Sequence, residues 1–190
     1  MTAVVRLVPG RRLQPYKDGI RTVYADTFGA APWNESLERA DAYLDRLDTD
    51  VSRPGFTSAL ALDGDAVIGW ATAWNTPEPF PTERCYPQVS IALGAQHTRD
   101  WLCGAREVDE LAVAHPARRT GVGARLLHAV TQDRTDGRCW LLTSARATDT
   151  LRFYEKAGWT IATHPAPGGS SHAALLGPRH PFRHLASRPL

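Results

Sequence analysis

Lysine is almost missing from this chain: of 22 basic residues only Lys17 and Lys156 are lysines. The basic residues face 20 acidic ones, leaving a net charge of +2 and no dominant run of either sign. A dedicated nucleic-acid-binding surface is therefore not expected. Cysteine is scarce too. Cys85, Cys103 and Cys139 are odd in number and form no CxxC pair, which excludes a disulfide framework and points to a reduced, cytoplasmic setting. The seven histidines are scattered; only His180 and His184 stand four apart, with Pro181 between them, so no metal site is expected. No apolar run is long enough to cross a membrane, and MTAVVRLVPGRR lacks the apolar stretch of a secretory signal. Neither a membrane nor a nucleic acid is an expected partner. Repeats and low-complexity blocks are also missing.

What is there is an ordinary globular composition, 43% apolar and 22% charged over 190 residues. That length can bury a real core and predicts one domain over 1–190, with a tail from about 177 that has no period and is expected to be loose. Val4–Val8 reads as a strand ended by Pro9-Gly10. Tyr16, Ile20, Val23, Tyr24 and Phe28 recur at helical spacing, which predicts a helix over about 14–28. Asn34 is an expected N-cap for a second helix with Leu37, Ala40, Leu44 and Leu47 on one face and Glu35, Glu38, Asp41, Asp45 and Asp48 on the other. Phe56–Leu62 and Ala66–Trp74 flank Asp63-Gly64-Asp65 and predict a hairpin. Residues 75–105 are irregular, either functional or hiding a short helix. A strand over 106–114, a helix over about 121–134, a strand over 138–144 and a short helix ending near Gly158 follow. Trp159–His164 and His172–Leu176 read as a closing hairpin.

The most informative stretch is VDELAVAHPARRTGVGARLLHAV, Val108–Val130. A strand runs into a short turn with Pro116, and a helix opens at Gly121 in the pattern Arg118-x-x-Gly121-x-Gly123. Glycine there removes side chains that would hold an anion away from backbone N–H groups. The first turn of a helix offers unpaired donors and the positive end of its dipole, which suits a phosphate or pyrophosphate. A P-loop is excluded, because Ala124-Arg125 stands where Lys and a hydroxyl would be. A dinucleotide fingerprint is excluded by Leu126 in place of its third glycine.

A second segment, LLTSARATDTLRFYEKAGW (Leu141–Trp159), carries Phe153, Tyr154, Glu155, Lys156, Gly158 and an aromatic Trp159. Together the two segments resemble the acetyl-CoA-binding core of the GNAT acyltransferase superfamily, with its Arg/Gln-x-x-Gly-x-Gly/Ala loop and its FYEKxGF-like helix. The resemblance implies an α/β fold in which a central mixed sheet, split in a V beside the acyl thioester, is flanked by helices. It implies acetyl-CoA as donor, coenzyme A as product and no metal. The loop Arg118, Arg119, Thr120, Gly121, Val122, Gly123 and Ala124 would hold the pyrophosphate. Backbone groups of Leu111, Ala112 and Val113 would meet the pantetheine and polarise the carbonyl. Where the family often has Asn seven residues before its tyrosine, and Ala four before it, this chain has Ala147 and Thr150. One cofactor hydrogen bond is thereby in doubt, and Thr148 or Asp149 is the expected helix cap.

Acyl transfer to an amine needs a base for the ammonium and an acid for the departing thiolate. Glu110 is the candidate base, with Asp109 or a water chain as alternatives; alternation sends the two carboxylates to opposite faces, so only one should face the cleft. Tyr154 matches the family's thiolate-protonating tyrosine, while Phe153 is the expected core residue. Tyr24, Phe28 and Trp33, around the connection between the first two helices, are candidate walls of an acceptor pocket. These readings point to an acetyl-CoA-dependent N-acetyltransferase acting on a small primary amine in a ternary complex, as monomer or homodimer. A protein N-terminus or lysine as acceptor, or a non-catalytic acyl-CoA-binding module, are the alternatives.

Overall fold

The computed structural model describes residues 3–163 and 172–186. Seven strands form one open mixed sheet in the order β1-β2-β3-β4-β5-β7-β6. Its strands are β1 Val4–Leu7, β2 Thr57–Asp63, β3 Ala66–Asn75, β4 Arg106–Val113, β5 Cys139–Ser144, β6 Thr160–Ile161 and β7 His172–Leu176. The flanking helices are α1 Lys17–Phe28, α2 Leu37–Asp50, α3 Tyr86–His97, α4 Val122–Thr131, α5 Thr148–Lys156 and the short α6 Arg183–Ala186. The described chain gathers into two compact units, one from residues 3–74 and 108–132, the other from 75–107, 133–163 and 172–186.

In the first unit β1 pairs antiparallel with β2, and β2 with β3 around the turn at Gly64, whose φ of +60° only a residue without a Cβ adopts cheaply. The pleat sorts β2 by size. Leu60 and Leu62 join Trp70 in a core with Ile20, Val23, Tyr24 and Phe28 of α1 and Ala40, Tyr43 and Leu47 of α2. Ala59 and Ala61 alternate with them, and α4 packs on β1 and β2. Gly69, opposite Ala61, is required there: a Cβ would stand 2.8 Å from the carbonyl oxygen of Ala112 and 3.1 Å from Leu126 Cδ1. A strand face of small residues is what lets the buried Val122–Leu126–Val130 stripe of α4 come close.

The second helix begins later than Asn34 predicts. Ser36 occupies the N-cap position, while Asn34 takes φ +50°, a left-handed conformation Asn tolerates, and the Glu35 N–H turns back to the Phe28 carbonyl at 2.8 Å. A back-fold thus uses the residue that propensity assigned to a cap.

The second unit centres on Trp140, Trp101, Tyr86, Val89 and Leu176. Here β5 pairs antiparallel with β7, and β7 with β6, as the closing hairpin anticipates; the expected turn over 164–171 lies outside the described residues. Residues 75–105 do hold a helix, α3, with Pro87 tolerated in its first turn and a break at Gly94. The expected cap of α5 by Thr148 or Asp149 is not seen: Ala147 takes the N-cap position, without a side-chain bond, and both residues lie inside the helix. Gly177–Ala186, read as loose, carries structure: buried His180 bonds the Trp101 carbonyl through Nε2 at 3.0 Å, and Phe182 and Leu185 pack on the core. None of the three cysteines is in a disulfide among the described residues, and burial pushes the Cys139 thiol up to about 11.

Candidate active site

The strand-to-helix junction after β4 has the features its glycines predict. Ala117 closes a one-turn 3-10 helix from His115, Arg119 takes φ +64°, and Gly121, at the N-cap of α4, takes φ +83°. No side chain caps this end of α4, so its first-turn N–H groups have no intrahelical acceptor. A Cβ on Gly121 would enter open space, with nothing within 4 Å. The helix therefore presents bare donors and its positive end to an exposed hollow. Arg118 folds back along the strand, its Nε donating to the Val113 carbonyl at 3.0 Å, and Thr120 Oγ1 donates to Ala117 O at 2.7 Å. The Val113 carbonyl, expected to be available to a ligand, thus already accepts from Arg118. Leu111 is half-buried and Ala112 lies in the core.

Glu110 and Asp109 lie on the same strand, before the loop. One guanidinium, that of Arg46 on α2, meets Asp109 Oδ1 at 3.0 Å and Glu110 Oε1 at 3.3 Å. Asp109 is buried, at 1% side-chain exposure, and Glu110 is more open at 17%. The two nitrogens at the arginine tip thus serve carboxylates from two successive strand residues. Burial works against the charge on Arg46, but the carboxylates of Asp109 and Glu110 outweigh it and hold the guanidinium protonated. No local pattern marks Arg46, whose partners lie 63 and 64 residues away.

The three aromatic candidates divide. Tyr24 and Phe28 are buried in the core of the first unit, with Tyr24 stacked on Tyr43 at 5.0 Å and its hydroxyl donating to Glu35 Oε2 at 2.7 Å. Burial first, then the bond to Glu35 and the charge of Glu110, push the Tyr24 phenol up. Trp33 is half-buried and meets Phe28 edge-on at 5.3 Å.

In the second unit, Tyr154 and Phe153 exchange the expected places. Tyr154 is the buried residue of α5, 6.0 Å from the Trp159 ring, and Phe153 is half-buried. Trp159 lies beyond the end of α5: Gly158 at φ +84° turns the chain back, and the Trp159 N–H donates to the Tyr154 carbonyl at 3.0 Å.

The sequence model of the acetyltransferase (GNAT) domain matches residues 55–161, more than half of the chain. The chain belongs to the GNAT acetyltransferases. A comparison with curated proteins finds no match. Solved GNAT-like structures agree with the fold. A protein from Desulfovibrio desulfuricans described as a GNAT-family acetyltransferase aligns with a TM-score of 0.63 at 21% identity, over 92% of this chain and 96% of that one. The PaiA N-acetyltransferase of Thermoplasma acidophilum, solved in complex with coenzyme A, gives 0.59 at 14% identity over 93% and 99%. An aminoglycoside acetyltransferase from an uncultured soil metagenomic sample gives 0.53 at 14% over 81% and 86%.

GNAT enzymes carry acetyl groups from acetyl-CoA, and the junction in this GNAT chain fits such a donor. A pyrophosphate needs bare N–H groups, room beside them and no anion nearby, and Gly121–Ala124 offer the first two. The carboxylates of Asp109 and Glu110, midway along β4, are paired with Arg46. Among the described residues no group of three His, Cys, Asp or Glu side chains could hold a metal, and no helix is long and apolar enough to cross a membrane.

Proposed function

We propose that this chain, acting as one catalytic domain, transfers an acetyl group from acetyl-CoA to the primary amine of a small molecule by direct attack in a ternary complex. The observation that carries the reading is the pairing, in one compact unit, of a bare helix N-terminus with an arginine-held carboxylate on the strand that leads into it. Backbone N–H groups of Gly121–Ala124 take the pyrophosphate, with charge from Arg118 and Arg119. Backbone groups of Leu111–Val113 orient the acyl arm. Glu110 accepts the proton that an ammonium of pKa about 10 must lose before it can attack. Tyr154 gives a proton to the sulfur that leaves.

The acceptor is a partly apolar amine. Trp33 offers the aromatic surface, while Tyr24 and Phe28, being buried, support it from behind and do not touch the acceptor. Thiol release with a panel of small amines, an aminoglycoside and peptide N-termini tests this. Turnover with small amines is expected, and Trp33→Ala should raise their KM and leave acetyl-CoA affinity unchanged. Turnover with peptides alone would overturn the acceptor class, and tight coenzyme A binding without any turnover would make the chain a binding module.

A further inference from the structure

The contact between Arg46 and β4 does more than neutralise charge. Arg46 stands on α2, one helical turn before Asp50, which its Nη1 meets at 3.3 Å. Its guanidinium lies over the ring of Tyr43 at 5.2 Å, and the Tyr43 hydroxyl is fixed in turn by the Trp70 indole N–H at 2.8 Å. Asp50, itself buried, is also held by Arg53 Nε at 2.5 Å. The arginine is therefore gripped along its length, by a ring beneath and carboxylates at its tip, before it reaches Glu110. A planar fork with one nitrogen on each carboxylate fixes the spacing between the two, which a point charge would not do.

We propose that Arg46 is a positioning residue for acetyl transfer: by bridging Asp109 and Glu110 it draws the Glu110 carboxylate toward α2 and keeps it in the proton-accepting form. This rests on the reading of Glu110 as the base. The groups that face Glu110 are Arg46 and Tyr43 from α2, Asp109 beside it on β4, and Tyr24 from α1 with its partner Glu35. Asp50 and Arg53 stand behind Arg46. Asp109 and Glu35, as anions, would drive a proton onto Glu110, and both tyrosines are pushed up by burial and by the nearby carboxylates, so they stay neutral. Arg46, in contact with Glu110 at 3.3 Å, is a cation that opposes this.

The test is the pH dependence of kcat and kcat/KM, with one amine, for Arg46→Gln, Arg46→Lys, Glu110→Gln and the double variant Arg46→Gln with Asp109→Asn. The double variant removes the buried carboxylate that Arg46→Gln alone would strand, and its pH profile is read against that of Asp109→Asn alone, so that the two proteins compared differ only in the cation. Losing the cation should move the acid limb of kcat/KM to higher pH by about one unit or more. It should lower kcat at neutral pH about 10- to 100-fold, with acetyl-CoA affinity by calorimetry unchanged. Arg46→Lys should return the limb toward its wild-type position while recovering only part of kcat, because the charge is kept and the fork is lost. An unmoved limb with kcat within a few-fold of wild type in a folded Arg46 variant, while Glu110→Gln is inactive, would overturn the role of Arg46 and leave Glu110 as base. Full activity in Glu110→Gln would overturn the base reading itself.

Discussion

Tyr154 is the residue on which the sequence pattern and the packing pull in different directions. Its place in Phe153–Gly158 pointed to a proton donor, and its burial beside Trp159 would suit a core ring equally well. The two roles separate on one oxygen atom. Tyr154→Phe keeps the ring and its contacts, so the melting temperature should stay close to wild type, while turnover at saturating substrate should fall about 10²- to 10⁴-fold. Coenzyme A affinity should hardly change. Turnover within a few-fold of wild type would reduce Tyr154 to packing and leave the leaving sulfur to take its proton from water. A feature set by neighbours in sequence was legible: the turn at Gly121 that opens α4 follows from local spacing. Arg46 was not legible, because an arginine on an acidic helix face has no local mark that a strand 63 residues on awaits it. For the same reason strand alternation could not show that one arginine would reach both Asp109 and Glu110.

Among the elements, the junction of β4 with α4 is the one whose function rests on main-chain atoms. Gly121 is a poor place to test it: at φ +83° any side chain strains the backbone, and a loss of binding could reflect a refolded turn. Gly123, in the first turn of the helix, is the cleaner position. Gly123→Asp puts a carboxylate among the donors meant for a pyrophosphate, and helix N-termini tolerate acidic residues well. The variant should therefore fold with wild-type stability and bind acetyl-CoA at least 10-fold more weakly by calorimetry; wild-type affinity would move the cofactor elsewhere. Long periodic helices and the β2–β3 hairpin could be read from the sequence because their periods run for several turns. The start of α2 could not, since the back-fold of Glu35 onto Phe28 is a contact between segments. α3 was hidden by Pro87 at its start and Gly94 within it, which reduce its apolar repeat to Val89 and Leu93.

For the molecule as a whole, two histidines tie stability to acidity. Burial lowers the affinity of His172 and His180 for a proton below that of a free imidazole, whose ordinary value is 6.5. The unfolded chain then binds protons that the folded chain refuses. The stabilising contribution is complete above the unfolded value and is lost as pH falls from about 6.5 through the lower folded values. The melting temperature should thus drop as pH is taken from 7.5 to about 5. His180→Gln, which can still reach the Trp101 carbonyl, should flatten that slope; an unchanged slope would assign the acid sensitivity to other groups.

Neither compact unit is a single run of chain. The first is begun by residues up to 74 and finished only by Val108–Gln132. A ribosome making this protein has therefore released both long helices and the first hairpin well before it supplies the strand bearing Glu110 and the loop bearing Gly121. During that interval Leu60, Leu62 and Trp70 lack the Ala112 that completes their cluster, and α4 does not yet exist to cover Ala59 and Ala61. Chains form their native contacts as segments emerge. The strand bearing Glu110 and the loop bearing Gly121 are thus the last parts of their unit to be synthesised, and a polypeptide arrested before α4 would expose an uncovered sheet face.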